Sequence, residues 1–449
     1  MPRLPLEPSR VRRRPATLVV IALLGVACSS GDDATSATSA VTTPASVTIP
    51  ATTGTSLPVV VSTTEVAAAA TTPTAAPVTT IAPDASDVAT SAPQSSAPLA
   101  PATTAVNVYA GAGVGDESPA VSSAKAYVYV PSNSGGAVTV IDQETMAIVS
   151  EFSTGRLTQH VVPGWDLQTL YATASGTNRL VPIDPATGEP GEPIPVDAPY
   201  NLYFSPDGVA AIVMAERLNR IDFYDRSTWK RFASLPTGAC EGVNHADWSA
   251  DTSFFVATCE FSGQVLKVDS ATGTVLGLLA LPDGAMPQDL RLAPDGSKFY
   301  VADMYAGGVW VLDAAGSAVV GFVETGVGAH GIYPSRDASL LYVTNRGRNS
   351  NKINRPSQDG EGSVSVIDPT TDTVTATWTI PGGGSPDMGG VSADGTTFWV
   401  SGRHDSVVYA FDTTTGELRA KIDVPPGPHG LAVFPQPGAY SLGHTGNYR

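Results

Sequence analysis

Charged residues are scarce in this sequence, and positively charged ones are the scarcer kind. They make up 15% of the 449 residues, with 25 Lys and Arg against 42 Asp and Glu, so the formal net charge is −17. A nucleic-acid partner needs a basic stripe that neutralises phosphates. The composition therefore excludes nucleic acid as the expected partner.

Motifs that would identify an enzyme directly are missing as well. No Gly-rich phosphate loop follows a strand and opens a helix, no Gly-x-Ser-x-Gly elbow is present, and no cysteine pair has zinc-binding spacing. The sequence gives no positive indication of a nucleotide site, a serine hydrolase or a structural zinc site.

The apolar run at the N-terminus, Ala16–Ala27, is too short for a comfortable membrane span. Arg residues at 10, 12, 13 and 14 precede it, as in a signal peptide. The run ends in Gly25-Val26-Ala27-Cys28, which resembles a bacterial lipoprotein signal whose cysteine is lipid-modified after cleavage. Gly25 departs from the aliphatic residue usual there, so plain secretion and an uncleaved anchor stay open as alternatives. We expect residues 1–28 to direct export and Cys28 to anchor the chain on the outer side of the cell membrane, its only link to a membrane.

Residues 29–105 contain no aromatic residue, no Lys and no Arg, and are rich in Thr, Ala, Ser and Pro. Such a segment cannot bury enough apolar surface to offset its ordering entropy. We expect a disordered stem that projects a domain through the cell envelope, with O-glycosylation compatible with its composition. A passive low-complexity tail is the alternative.

From residue 125 the sequence repeats. Short apolar strands recur at Tyr129, Tyr171, Ile212, Phe255, Tyr300, Tyr342 and Trp399, in steps of 41 to 45 residues with one of 57. A later strand of each unit ends in an Asp, at 142, 184, 225, 269, 313, 368 and 412, where a carboxylate can accept turn N–H groups. Four-stranded units of this length, repeated seven times, predict an all-β, seven-bladed β-propeller over residues 125–434, whereas a β-sandwich has no such period. Residues 106–124 are a lead-in segment and 435–449 a C-terminal tail.

Several repeats carry a recognisable signature. Leu341-Tyr342-Val343-Thr344-Asn345, Ser205-Pro206-Asp207-Gly208 and Pro428-His429-Gly430-Leu431 resemble the YVTN-repeat, or YncE-like, propeller family, which includes surface-layer-type proteins. The similarity covers about residues 125–434 and implies a repeat type rather than an activity. The second and third blades depart from the signature.

We name the strands of a blade A to D from the channel outward. His429–Phe434 is an A strand without a blade of its own, while the first blade has only a weak A candidate in Pro119–Ser122. Because ring closure removes exposed sheet edges, we expect His429–Phe434 to complete the first blade. The expected propeller is monomeric.

Only three cysteines occur, which leaves two once Cys28 is assigned to lipid. Cys240 and Cys259 flank one hairpin, and disulfides form in exported chains. We predict that they are bridged; two buried free thiols are the alternative.

Propeller topology brings the D-to-A and B-to-C loops to one face. Potential ligand-binding side chains map there or to the inner strands that begin there, namely His160, His245, His330, His404, His429, Gln288 and Asp387. Converging His and Asp side chains can bind a divalent metal or act as acid and base, for which His330, His429 and Asp387 are the candidates. The alternative is that Pro-His-Gly is how this repeat enters its inner strand, with the histidines capping backbone groups around a wet channel.

One loop breaks the period. Residues 346–362 form a long B-to-C loop in the sixth blade, and Arg346, Arg348 and Arg355 make it basic in an acidic protein. Such a loop favours an anion or an acidic partner, or is merely solvated. We therefore expect an exported binding protein whose ligand or cell-envelope partner meets the loop-rich face. The alternative is a lactonase- or lyase-type propeller enzyme with a His and carboxylate site, with or without a metal cofactor.

Overall fold

Each unit of the repeat folds into an antiparallel sheet of four strands, and the computed structural model contains seven such sheets. The predicted seven-bladed, all-β propeller is confirmed. The structure describes residues 107–349, 358–444 and 447–449. The predicted signal, Cys28, the stem and Arg355 lie outside these residues.

Numbered in chain order, the strands divide regularly among the blades. Blade one contains β1 (Tyr127–Ser132), β2 (Ala137–Asp142) and β3 (Ile148–Ser153). Blade two contains β4 (Thr158–Pro163), β5 (Leu170–Ala174), β6 (Arg179–Ile183) and β7 (Ile194–Pro195). Blade three contains β8 (Asn201–Phe204), β9 (Ala210–Ala215), β10 (Arg220–Asp225) and β11 (Arg231–Pro236). Blade four contains β12 (Val243–Trp248), β13 (Phe254–Cys259), β14 (Gln264–Asp269) and β15 (Val275–Ala280).

The remaining blades follow the same plan. Blade five contains β16 (Pro287–Leu292), β17 (Lys298–Asp303), β18 (Gly308–Asp313) and β19 (Val319–Glu324). Blade six contains β20 (Ala329–Pro334) and β21 (Leu341–Asn345), then the two-stranded ribbon β22 (Arg348–Asn349) and β23 (Gln358–Asp359), and finally β24 (Ser363–Asp368) and β25 (Thr373–Thr379). Blade seven contains β26 (Pro386–Val391), β27 (Thr397–Gly402), β28 (Val407–Asp412) and β29 (Leu418–Asp423), and the chain returns to blade one with β30 (Ala432–Phe434). The described part of the chain also contains three short 3-10 helices, Pro119–Val121, Ser175–Thr177 and Glu216–Leu218.

The burial of the strands explains their composition. The B strand β1 is buried at all six positions, whereas the D strand β3 is almost wholly exposed. A strand covered by a neighbouring blade on both faces needs apolar residues at successive positions, as in Tyr127-Val128-Tyr129-Val130. The core is therefore divided among the interfaces between blades. In the described residues no helix is long and apolar enough to cross a membrane.

The ring closes as predicted, with a shorter strand. Within His429–Phe434, β30 pairs antiparallel with β1, placing Phe434 opposite Tyr127 and Ala432 opposite Tyr129. Val433 and Leu431 pack in one apolar cluster with Trp399 of blade seven. This mixed blade joins the two ends of the propeller, and β30 covers the inner edge of β1.

Two further sequence predictions are confirmed. Cys240 and Cys259 form a disulfide with a Cα–Cα distance of 5.0 Å. Each aspartate that ends a C strand accepts backbone N–H groups of the following turn, for example Thr228 N at 2.8 Å from Asp225 Oδ1. Hydrogen bonds from Ser227 and Thr228 lower the pKa of Asp225 to about 2.

Candidate functional site

A β-bulge in the inner strands turns two successive side chains toward the channel. In blade two, Thr158 pairs with Ala174 and Val161 with Ala172, so two residues of β4 face one residue of β5. The same irregularity occurs in blades four, five, six and seven. A bulge of this kind adds one residue and re-aims the neighbouring side chains. Here it supplies the channel with two layers of residues.

Hydroxyl groups replace the hydrogen bonds that the bulges remove. Thr344, the threonine of the Tyr-Val-Thr-Asn signature, accepts the N–H of Gly331 at 2.8 Å and donates to the carbonyl oxygen of Asp387. Thr173 accepts the N–H of His160 at 3.0 Å, and Ser401 accepts that of Met388 at 3.2 Å. The signature threonine therefore holds the backbone that positions the side chains of the site.

We call the two layers by their position in the channel. The upper layer, by repeat position, is Gln159, Tyr200, Asn244, Gln288, His330, Asp387 and His429. The lower layer is His160, Asn201, His245, Asp289, Gly331, Met388 and Gly430. Only glycine fits at position 430, because the Cβ of any other residue would lie 1.8 Å from His160 Nδ1.

Asp387 is the centre of the upper layer. Its Oδ2 lies 2.6 Å from His429 Nδ1, and its Oδ1 lies 2.6 Å from Arg346 Nη2 and 3.1 Å from His330 Nδ1. Arg346 also donates to His330 Nε2 at 2.8 Å. Burial alone would raise the pKa of Asp387, but Arg346, His330 and His429 together hold it well below its usual value. One ionised carboxylate thus joins three side chains.

The upper-layer histidines are neutral at pH 7. Burial, followed by the charge of Arg403, lowers the pKa of His429 to about 4. Burial and the charge of Arg346 hold the pKa of His330 well below its usual value. His429 therefore donates from Nδ1 to Asp387, and its Nε2 accepts the hydroxyl of Tyr200 at 3.2 Å. Burial, and then the charges of Glu216 and Glu260, keep the pKa of Tyr200 well above 10.

The lower layer is closed from beneath by the C-terminal residues. His444 is fully buried, and its Nε2 lies 3.1 Å from His160 Nδ1. Its ring centroid is 5.6 Å from that of His245. Among the described residues, the buried Nε2 atoms of His160 and His245 have no hydrogen-bond partner. Within residues 107–349, 358–444 and 447–449, no group of three His, Cys, Asp or Glu side chains is arranged to hold a metal ion.

Both ends of the folded domain cover the channel end opposite the mouth. Leu442 O accepts the N–H of Phe204 at 3.0 Å, and Asn447 Nδ2 donates to Asp247 at 2.8 Å. From the lead-in segment, Tyr109 donates to Leu292 O at 2.9 Å. The residues expected to form a tail therefore pack inside the propeller and cover this end of the channel.

At the open end is a cavity of about 300 Å³. Its lining combines upper-layer residues with side chains that directly follow the B strands, among them Arg346 and Arg403. Arg346 is 8% exposed, and its guanidinium already donates to Asp387, His330 and the sulfur of Met304. Arg403 differs, because its Nη1 is buried and has no hydrogen-bond partner among the residues that the structure describes. Burial lowers its pKa.

The predicted site residues fall into separate groups. His330, His429, His404, Gln288 and Arg346 line the mouth cavity, with Asp387 directly beneath. His160 and His245 belong to the lower layer. Arg348 is exposed in the β22–β23 ribbon, 3.7 Å from Asp359. Arg355 lies outside the described residues.

Sequence reasoning did not select Tyr200, Arg403, Glu216, Glu260 or His444 as site residues. Tyr200 lies in the same repeat column as His330 and His429, and Arg403, Glu216 and Glu260 each directly follow a B strand. Aligning that position across the repeats was the signal available. His444 lies beyond the last repeat and has no such signal.

Comparison with known proteins agrees with this architecture. One similar structure, hydrazine synthase of Kuenenia stuttgartiensis, has 15% identity and a TM-score of 0.52 over 60% of this chain and 87% of that one. Another, a functionally unknown protein from Desulfotomaculum acetoxidans, has 15% identity and a TM-score of 0.56 over 68% of this chain and 98% of that one. Both show the fold alone. No curated protein matches the sequence. The sequence model of the YNCE-like beta-propeller family matches residues 74–437, and the chain therefore belongs to that family.

Proposed function

We propose that this chain is an exported lipoprotein whose propeller binds a small ligand with an anionic group at the channel mouth. The basic and apolar N-terminal segment ending at Cys28 supports export and anchoring. The stem of residues 29–105 would separate the propeller from the membrane. A rigid ring with its variable loops at one face is a common arrangement for recognition.

The main support for the proposal is the buried guanidinium group of Arg403. A buried guanidinium nitrogen without a partner is costly, because its desolvation is not offset by a hydrogen bond. The carboxylate of Asp387 already accepts hydrogen bonds from Arg346, His330 and His429, so its oxygens serve those groups rather than Arg403. A carboxylate or phosphate group entering the cavity would give Arg403 the planar, charge-assisted contact that arginine favours.

The shape of the cavity favours a small molecule. Its volume of about 300 Å³ is at the lower end for sites that enclose a ligand. The channel floor is closed by His444 and its neighbours, so a polymer could not thread through. Polar side chains dominate the lining, including Asn133, Gln159 and Gln288.

The binding test is a thermal-shift screen of the mature protein against small carboxylates and inorganic phosphate, with affinities then measured by calorimetry. Arg403→Gln should weaken the best ligand at least tenfold. The matched control is Arg348→Gln, which removes the same charge from the same face at a side chain that is 59% exposed. Equal affinity in wild type and Arg403→Gln would refute the proposed site.

Anchoring is tested separately. Cys28→Ser should release the protein into the medium, whereas wild type should partition with membranes. Wild type recovered in the aqueous fraction would contradict lipid anchoring and leave the binding proposal unaffected.

A second candidate is an enzyme. The chain Tyr200–His429–Asp387 runs from the cavity to a buried carboxylate, as in sites that position a general acid or base. The pKa values oppose it: Tyr200 titrates well above 10 and His429 at about 4, so proton transfer from Tyr200 to His429 is strongly unfavourable. Hydrolysis of lactones by wild type, lost in Tyr200→Phe, would favour the enzyme over the binding protein.

A further inference from the structure

The wall of the mouth cavity beside Arg403 is polar and uncharged. Arg403 lies in blade seven, which packs against blade one, and blades two and three follow around the ring. From these three blades, Asn133, Gln159 and Tyr200 line the cavity in succession. We call these three side chains the neutral wall.

The neutral wall has hydrogen-bonding capacity left for a ligand. Gln159 Oε1 accepts from Asn133 Nδ2 at 2.8 Å, which fixes the two amide groups relative to each other. Among the described residues, Gln159 Nε2 and Asn133 Oδ1 have no hydrogen-bond partner, so the pair offers one donor and one acceptor group. Tyr200 donates its hydroxyl to His429 Nε2, and the phenol oxygen can still accept.

His404 adds a fourth neutral group. It directly follows Arg403 and lines the same cavity. Burial, followed by the charge of Arg346, lowers the pKa of His404, so its ring is neutral at pH 7. A neutral imidazole offers one donor and one acceptor. Arg403 is therefore accompanied by neutral groups that can each hydrogen-bond to a ligand.

The two other arginines that line the cavity already have partners. Arg346 is paired with Asp387, and Arg217 donates to Ser175 O at 3.2 Å. Arg403 therefore provides the guanidinium nitrogen that needs an acceptor. One such group matches a carboxylate, with a single negative charge, better than a phosphate monoester, whose charge at pH 7 is about −1.5 to −2.

Hydroxyl groups match the neutral wall. Each hydroxyl both donates and accepts, so several hydroxyls on one molecule can pair with a mixture of amide, phenol and imidazole groups. A ligand without hydroxyls would displace water from these groups and leave them unpaired, which costs affinity. The mouth is therefore suited to a molecule that combines one carboxylate with several hydroxyls.

We propose that the ligand is a sugar acid of the uronate type, with its carboxylate at Arg403 and its ring hydroxyls at the neutral wall and His404. A monosaccharide suits a cavity of about 300 Å³. This inference rests on the proposed function, since it assumes that the mouth binds a ligand with an anionic group. It adds the recognition of hydroxyls and the orientation of the ligand.

The test compares four kinds of probe by calorimetry with the mature protein. D-Glucuronate and D-galacturonate carry a carboxylate and hydroxyls, cyclohexanecarboxylate carries only the carboxylate on a similar ring, and the two uronamides carry only the hydroxyls. D-Glucose 6-phosphate replaces the carboxylate by a phosphate. We expect the better uronate to bind at least tenfold more tightly than cyclohexanecarboxylate, than its own amide and than glucose 6-phosphate.

Substitutions locate the hydroxyl contacts. Gln159→Met removes the amide at similar length, and Tyr200→Phe removes the phenol oxygen. Each should weaken the uronate at least fivefold and leave the affinity for cyclohexanecarboxylate nearly unchanged, a pattern that general damage to the site would not give. Arg403→Gln should weaken every probe that has a carboxylate. The matched control is Gln168→Met, the same exchange at an exposed glutamine in the A-to-B turn of blade two, which should change neither affinity.

The outcomes separate the two proposals. If cyclohexanecarboxylate binds as tightly as the uronates, or if both wall variants keep the uronate affinity of wild type, the sugar-acid inference is overturned and anion binding stands. If glucose 6-phosphate binds more tightly than both uronates, the carboxylate assignment is overturned in favour of a sugar phosphate. If the uronamides bind as tightly as the uronates, the carboxylate contributes nothing and anion binding at the mouth is overturned as well. If no probe binds, the sugar-acid inference is overturned, and the carboxylate and phosphate screen decides the proposed function on its own.

Discussion

Thr344 links the strand pairing of a blade to the site. Its hydroxyl accepts from Gly331 N and donates to Asp387 O, and Asp387 holds Arg346, His330 and His429. All these atoms are buried, so water cannot replace a lost partner. The threonine of the signature is therefore needed because of the β-bulge, and not only because threonine favours a strand.

Replacing Thr344 by Val keeps the shape of the side chain and removes the hydroxyl. A buried N–H and C=O would then lack a partner, and we expect a loss of about 1–3 kcal/mol in the free energy of unfolding. Urea denaturation measures it. Thr344→Ser keeps the hydroxyl and should lose clearly less; equal losses in the two variants would contradict the role of the hydrogen bonds.

The channel histidines make stability dependent on pH. Burial lowers the pKa of His160, His245, His330, His429 and His444, in the case of His429 to about 4. The unfolded chain takes up protons near pH 6.5 while the folded chain does not, so stability should fall as the pH decreases from about 6.5 to about 4. For His429 alone this amounts to roughly 3 kcal/mol.

One buried group acts in the opposite direction. Burial raises the pKa of Asp289 to about 6, so this residue favours the folded state as the pH falls toward 4. Five histidines outweigh one aspartate, and we expect a net loss. Urea midpoints between pH 7.5 and 4.5 test the balance; a midpoint that is constant or rises on acidification would contradict it.

Among the elements, β30 and the residues after it have different tasks. β30 closes the ring against β1, whereas Leu442, His444 and Asn447 close the channel. A chain that ends at Pro426 loses both, and we expect it to aggregate, because β1 becomes an open apolar edge. A chain that ends at Pro437 keeps β30 and should stay monomeric, with lower stability. Size-exclusion chromatography distinguishes them, and a soluble monomer ending at Pro426 would contradict ring closure by β30.

The disulfide joins the end of β13 to the loop before β12. Its loop spans a sequence separation of 19 residues, for which chain entropy suggests about 3 kcal/mol. Replacing both Cys240 and Cys259 by Ser should lower the free energy of unfolding by that order. Reductant should lower the stability of wild type and leave that of the double variant unchanged; an equal response of both would contradict the assignment.

These elements also show what the sequence could reveal. The strands and the Asp turns were predictable because each recurs at a fixed spacing. Ring closure was predictable because the last A strand had no blade and the first blade had no clear A strand. The bulges were not, because Thr173 and Thr344 suit an ordinary strand equally well and only their N–H partners identify them. Within the basic loop, the sequence did not distinguish Arg346, which contacts Asp387, from Arg348, which stays exposed.

At the scale of the whole molecule, ring closure brings the same position of every repeat to one surface. The residues directly after the B strands were not predicted as site residues, because their types differ from blade to blade. Only ring closure brings Glu216 and Arg403 to the same cavity. The channel floor was equally hidden, because residues 435–449 follow the last repeat and carry no period. A cavity with a polar wall is the result.

The most direct test is a crystal structure of the mature protein with the best carboxylate from the screen. We predict a ligand oxygen at about 2.7–2.9 Å from Arg403 Nη1, above the Tyr200–His429 pair. A ligand bound outside the mouth cavity, or an Arg403 that instead pairs with a protein carboxylate while the ligand binds elsewhere, would contradict anion binding at the mouth.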